Sequence, residues 1–282
     1  MDRKKILFGV VLIFLMGFLG TAPAGARMVK EVCIGVYENA PNEAAIEMDY
    51  LLFHGPQIAD LSGAWMSSYK LWLPYEPPED AVKLFNAVRG RYAELWFTED
   101  NYRDRPGMEQ EKPLKPDPSP RDEKGPYQFE VTRPERRVVM MVPAKPTQTF
   151  YTWRAAIDNR TVIRWVTAIR YPEGVSVEEG EDWFLNVHAR EACEQPGLLK
   201  FTSYRAIDEY THSFGGERAY VRVNEYWYKD FDAWRNAVIK SPPKYTKPSW
   251  GGEYPFVEMQ STFIPYIHYV DFLEGGYIAP RQ

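Results

Sequence analysis

The chain has 282 residues, a formal net charge of −5 and 15% aromatic residues, among them nine Trp and nineteen Tyr. The acidic balance excludes the basic footprint that nucleic-acid binding leaves, while so many rings build large cores and pocket walls with a polar handle. The two cysteines, Cys33 and Cys193, are too few and too distant for a cysteine-rich metal site. An exporting pathway would permit them to pair, and the plainer reading is two small buried apolar side chains.

Residues 1–26 divide in three. Arg3, Lys4 and Lys5 precede an uncharged apolar run over 6–20, and Ala24-Gly25-Ala26 supplies small residues for cleavage. About fifteen apolar residues fall short of the roughly twenty that span a bilayer as a helix. The expectation is a cleaved secretory signal, a mature chain starting at Arg27, export to the periplasm or beyond, and no stable membrane span after cleavage. The sequon Asn159-Arg160-Thr161 matters only in a eukaryotic secretory pathway.

From residue 27 the elements follow in order. Residues 32–38 alternate as a short strand. Apolar residues at 46, 50, 51, 54, 58 and 61 recur at helical spacing, and Gly63 ends that helix. Pro56 lies inside it, where a proline removes a hydrogen bond and kinks the axis. Strands are expected over 64–73 and 92–98, a short helix over 100–103, and a fourth strand over 138–142. Between them 104–127 carries six prolines and mixed charge, which reads as an exposed insertion unable to bury a core.

The second half repeats the order. Residues 161–171 form a strand. Ser176-Val177-Glu178-Glu179 has capping-box spacing and opens a helix that Pro196-Gly197 stops. Strands follow over 198–207 and 220–228, then a helix over 231–239 ended by Pro242-Pro243, a Pro- and aromatic-bearing loop over 241–255, and a strand over 256–264. Each half reads β-α-β-β-α-β, the ferredoxin-like order.

Two blocks of sequence support the repetition. Tyr50-Leu51-Leu52-Phe53-His54 is similar to Phe184-Leu185-Asn186-Val187-His188 at an offset of 134, and Glu94-Leu95-Trp96-Phe97 to Glu225-Tyr226-Trp227-Tyr228 at an offset of 131. On 220–228 both sides of the strand carry large rings, so both faces are expected to be covered. The expected fold class is α+β. Two tandem units, 27–146 and 147–282, pack sheet to sheet as a pseudo-dimeric α+β barrel.

The run Trp183-Phe184-Leu185-Asn186-Val187-His188, the turn Pro196-Gly197-Leu198 and the stretch Glu225-Tyr226-Trp227-Tyr228-Lys229-Asp230 together resemble EthD-like members of the dimeric α+β barrel superfamily. The likeness covers most of 30–104 and 160–265 and is weaker in the first half, which keeps His54, Gly63, Glu94 and Trp96. It implies the fold. The superfamily holds isomerases, metal-free monooxygenases, haem enzymes and proteins without a reaction, so a fold alone selects no chemistry.

Among chemistry-bearing residues, His54 and His188 lie on the apolar stripes of their helices, where a buried imidazole serves either as a general base or as a core residue. Glu94 and Glu225 each share a strand face with a Trp two residues on. A carboxylate there is paired or has a raised pKa, and Arg164, Arg170 and Arg205 are candidate partners for Glu225. His188 with Glu225 is the candidate catalytic pair, with Trp183, Phe184, Tyr204, Trp227 and His54 as candidate ligand-binding residues. No phosphate loop, nucleophile elbow, H-E-x-x-H or covalent-haem motif is present, and no metal site is expected. No cofactor is required. Haem ligation by His188 stays open without a second signal.

Three functions follow for a protein of this kind: an exported enzyme acting on a hydrophobic or aromatic small molecule by His-based proton transfer or cofactor-free oxidation, a ligand- or haem-binding module, or an assembly subunit that can form oligomers. A cavity beside His188 with converging polar groups favours the first, a cavity alone the second, and a filled pocket the third.

Overall fold

In the computed structural model β1 (Met28–Val36) is the central strand of the first sheet, with Val29, Val32 and Ile34 wholly buried. The structure describes residues 27–36, 47–48, 50–104, 136–151, 160–207, 219–274 and 276–278. The expected signal segment, the Pro-rich stretch beyond residue 104 and Asn159 of the sequon lie outside the described residues.

β1 pairs antiparallel with β3 (Gly90–Thr98) on one side and β4 (Arg136–Pro143) on the other, and β3 pairs with β2 (Met66–Trp72). A π-helical turn over Tyr50–His54 and α1 (Gly55–Ser62) connect β1 to β2, and Gly63 N–H closes α1 on the Ala59 carbonyl at 2.7 Å. Between β2 and β3 lies α2 (Glu79–Phe85), and α3 (Glu99–Asp104) follows β3. The second unit repeats this with β6 (Ile163–Arg170) central, flanked by β8 (Arg222–Tyr228) and β9 (Glu258–Pro265), and β7 (Leu198–Arg205) beyond β8. Its helix is α4 (Val177–Trp183), a π turn over Phe184–His188 and α5 (Ala189–Ala192); the later one is α6 (Phe231–Arg235) with a π turn over Asn236–Lys240. Strand orders β2-β3-β1-β4 and β7-β8-β6-β9 are the same ferredoxin-like pattern.

Local chemistry accounts for the boundaries. Ser176 accepts the Glu179 N–H at 3.1 Å, as the capping spacing predicts. Asp230 accepts the Ala233 N–H at 2.8 Å and opens α6. Gly197, at φ 78°, turns the chain into β7, a conformation that only glycine adopts freely. The π turn of the first unit precedes Pro56, but the second unit has one at the corresponding place without a proline. The proline is therefore not its cause, and α1 runs on to Ser62.

Segments outside the two βαββαβ cores complete the sheets. β5 (Gln148–Tyr151), which follows the first unit, pairs with β7 of the second. β10 (Tyr269–Asp271), which follows the second unit, pairs with β2 of the first, and β11 (Gly276–Ile278) extends it. At the seams, Ile207 N–H bonds the Met141 carbonyl at 2.8 Å and Tyr75 N–H bonds the Phe263 carbonyl at 2.8 Å. The sheets thereby close on one shared interior, where Val32, Ile34, Tyr92 and Met140 pack with Val166, Ala168, Val223 and Ile264. This is a dimeric α+β barrel written in one chain.

Four elements escaped the sequence reading. β5, β10 and β11 are too short to show alternation. α2 is framed by Pro78 and Asn86, and Phe85 carries it across to the second unit, where it meets Trp165 at 4.9 Å and Trp234 at 6.3 Å.

Candidate functional site

The strand β8 presents two different chemistries. Its residues are all buried, with Val223, Glu225 and Trp227 facing the barrel interior and Asn224, Tyr226 and Tyr228 facing the helices. Alternation along a strand enforces that division.

The interior holds an ion quartet. Lys30 Nζ lies 3.1 Å from Glu94 and 3.6 Å from Glu225, and an Arg164 Nη lies 3.2 Å from Glu94 and 3.0 Å from Glu225. Lys30 and Glu94 come from the first unit, Arg164 and Glu225 from the second, so each carboxylate is held by a cation from each half. The register shows the same construction twice: Lys30 faces Trp96 and Val32 faces Glu94, while Arg164 faces Trp227 and Val166 faces Glu225. Tyr92 OH donates to Glu94 at 2.7 Å, Trp227 Nε1 donates to Glu225 at 3.2 Å, and Lys30 sits 4.1 Å over the Tyr204 ring.

Burial opposes every charge in this cluster, but the pairing prevails. Despite burial, Lys30 and Arg164 with the Tyr92 hydroxyl hold Glu94 down to about 2, and Arg164 and Lys30 likewise hold Glu225 below its usual value. The two carboxylates in turn keep Lys30 and Arg164 above theirs. No member changes charge near neutral pH, and the quartet ties the two halves together by ion pairs.

The outer face of the second sheet carries a cavity of about 20 Å³, room for about one water. Trp165, Trp183, Phe184 and Phe85 supply apolar wall, and Thr167, Asn224, Gln195, Tyr226, Tyr245 and Tyr254 bring polar atoms to it. His188 lines it from the last position of its π turn, a geometry that recurs at functional sites. Its ring is stacked between Trp183 (4.9 Å) and Tyr245 (5.3 Å), and its buried Nδ1 has no hydrogen-bond partner. Burial pushes the imidazole down to about 4, with Glu191 pulling weakly the other way, so it is neutral at pH 7. On the sheet, Ser203 Oγ bonds Asn224 at 2.6 Å and Asn224 donates to Thr167 at 3.2 Å, fixing the floor.

The structure thus corrects the expected pairing of His188 with Glu225: residues 224 and 226, not 225, face the helix. Trp183 and Phe184 do join His188, whereas Tyr204 and Trp227 belong to the barrel interior. Arg164 is the partner of Glu225; Arg170 pairs with Glu258 at 2.7 Å and Arg205 with Glu181 at 3.6 Å. His54 ends the first unit's π turn as His188 ends the second's. Cys33 and Cys193 are not joined in a disulfide. Arg164 was among the candidates the sequence offered for Glu225, whereas Lys30 was missed, although its offset of 134 from Arg164 equals that of the two histidines; missed too were Gln195, Tyr245 and Tyr254, which carried no periodic signal. Among the described residues no cluster of His, Cys, Asp or Glu is placed to hold a metal, and no helix is long and apolar enough to cross a membrane.

Strand order and register define the class, an α+β barrel of two ferredoxin-like units. No protein-family profile matches the chain, and no curated protein matches it. Solved structures of similar course include an anthrone oxidase-like protein, with TM-score 0.47 and 10% identity over 92% of this chain and 98% of that one. Proteins provisionally assigned as monooxygenases show lower scores. One from Fusobacterium nucleatum gives 0.42 and 10% identity over 92% and 99% of the two chains, and one from Lactobacillus acidophilus gives 0.36 and 8% over 87% and 94%. Likenesses at these values speak for neither a reaction nor a ligand.

Proposed function

We propose that this is an exported, EthD-like protein, arisen by tandem duplication of units 27–146 and 147–282, that binds a hydrophobic or aromatic small molecule beside His188 and removes a proton from it. The observation that carries this reading is the neutral imidazole at the cavity wall, with a buried Nδ1 that no protein group occupies. In the Nε2–H tautomer Nδ1 is a lone-pair acceptor, and a proton of a bound molecule is the partner the site lacks. A base held near 4 is weak alone, but the anion formed by transfer would face the imidazolium and stabilise it. The aromatic walls supply the apolar surface that small-molecule sites use, and the converging amide and phenol groups supply orientation.

A second reading, a subunit whose pocket is filled by its own side chains, is favoured by one observation: the cavity holds little more than a water. His188→Ala separates the two. On the binding reading, quenching of tryptophan fluorescence by a panel of small phenols and aromatic acids disappears while the thermal midpoint moves by no more than about 4 °C, the shift of about 1 kcal/mol in a chain of this size. A larger fall in the midpoint with an unchanged panel would make His188 a packing residue.

A further inference from the structure

Tyr245 sits in the loop between α6 and β9, and its contacts are those of a ligand. Its ring stacks on His188 at 5.3 Å and on Tyr254 at 4.8 Å, 17° from parallel. Its hydroxyl accepts the Gln195 Nε2 hydrogen at 2.6 Å. Gln195 is itself fixed, because Tyr228 OH donates to its Oε1. The result is a slot with aromatic faces on both sides and an oriented amide donor at the end, filled by a phenol the chain supplies to itself.

The loop that carries this phenol is bound like a strap. Its backbone bonds Gly251 N–H to Pro248 O (3.0 Å) and Phe256 N–H to Glu253 O (2.9 Å) close within the loop. Beyond the Ser241 N–H to Asn236 O bond at its start (2.9 Å), its ties to the body include Thr246 N–H to Glu191 at 2.8 Å, Trp183 Nε1 to Thr246 O at 3.2 Å, and Trp250 against Trp183 at 5.3 Å. At its end Phe256 is held at φ 68°, a left-handed conformation that costs a non-glycine residue energy and that a moved loop would relieve. Tyr245, Trp250, Tyr254 and Phe256 also pack against the core, so lifting the loop exposes rings, and an incoming ring that takes the place of Tyr245 offsets part of that cost.

We infer that Tyr245 is a built-in placeholder: the site beside His188 accepts a monocyclic phenol that takes the position of the Tyr245 ring when the loop over 241–257 lifts. This rests on the ligand-binding reading above and narrows it to a class of molecule and a route of entry. The small size of the closed cavity is then the consequence of self-occupancy. The hydroxyl of the incoming phenol meets Gln195, its ring lies against His188, and a non-hydroxylated ring leaves the Gln195 donor unsatisfied, which sets a preference for phenols over plain arenes.

The probe is p-cresol, the tyrosine side chain itself, with toluene as its control. Binding to the full mature chain is measured by calorimetry, and loop opening by amide hydrogen exchange over 241–257. Tyr245→Gly should bind p-cresol at least about tenfold more tightly than the native chain, because apparent affinity scales with the fraction of molecules whose site is free. In the native chain, p-cresol should raise exchange in the loop, and toluene should bind more weakly than p-cresol to both proteins. Should Tyr245→Gly not fold, Tyr245→Phe serves: losing the Gln195 bond should raise both loop exchange and p-cresol affinity a few-fold. Equal affinities in native and variant chains, or native binding of p-cresol without increased exchange in the loop, would overturn the placeholder while leaving a His188 ligand site standing. Loss of that wider reading shows separately, as p-cresol affinity in the native chain unaffected by His188→Ala.

Discussion

Both faces of the second sheet bury polar groups, and they use them in opposite ways. In the barrel interior each of Glu94 and Glu225 meets two cations, and no charge is left to titrate near neutrality. On the outer face His188 is kept neutral, with a buried nitrogen that nothing satisfies. A buried charge set against its counter-ions shows how a fold is held; a neutral nitrogen without a partner at a cavity wall is an acceptor open to the proposed ligand.

Removing one member of the quartet breaks the comparison hardest. Arg164→Met leaves two carboxylates sharing Lys30, and the expected loss is about 3–5 kcal/mol in denaturant titrations, the usual cost of an uncompensated buried charge. The variant's remaining folded fraction should still bind whatever the native cavity binds, since residue 164 points away from it. A loss below about 1 kcal/mol would mean that water already screens the quartet.

Acid separates the two regions by pH window. The imidazole of His188 lies below its unfolded value, so only the unfolded chain takes up its proton as pH falls from about 6.5 to about 4. The stability it contributes is complete above pH 6.5 and declines through that window, by an expected 1–3 kcal/mol or about that. Glu94, held down to about 2, contributes stability that is complete above its unfolded value of 4.5 and is lost as pH falls through 2. His188→Gln should flatten the upper decline and leave the lower one; a native curve flat from pH 7 to 4.5 would show that the imidazole titrates as if exposed.

The smallest effect sharpens the contrast on a single strand. Thr167, three residues beyond Arg164 on β6, faces the cavity and accepts from Asn224. Thr167→Val removes one neutral buried hydrogen bond and should cost about 1 kcal/mol in the same titrations, several-fold less than Arg164→Met.

Much of this architecture is legible in the residues because it rests on local rules. Alternation on 220–228 foretells a strand covered on both faces, the Ser176 capping spacing foretells α4, and the paired offsets of His54 with His188 and Glu94 with Glu225 foretell two units of one topology. Those signals come from backbone geometry and burial of nearby side chains, which the order of residues determines by itself. Only the tertiary structure decided which polar groups share a site. A strand sends residue 225 and residues 224 and 226 to opposite faces, so the carboxylate that looked like the partner of His188 is instead bound to Lys30 and Arg164 across the barrel. The groups that do surround His188 come from Gln195, from Tyr245 and Tyr254 on a loop without periodicity, and from Phe85 of the other unit. Contacts between segments so far apart in the chain arise from packing, and no local spacing encodes them.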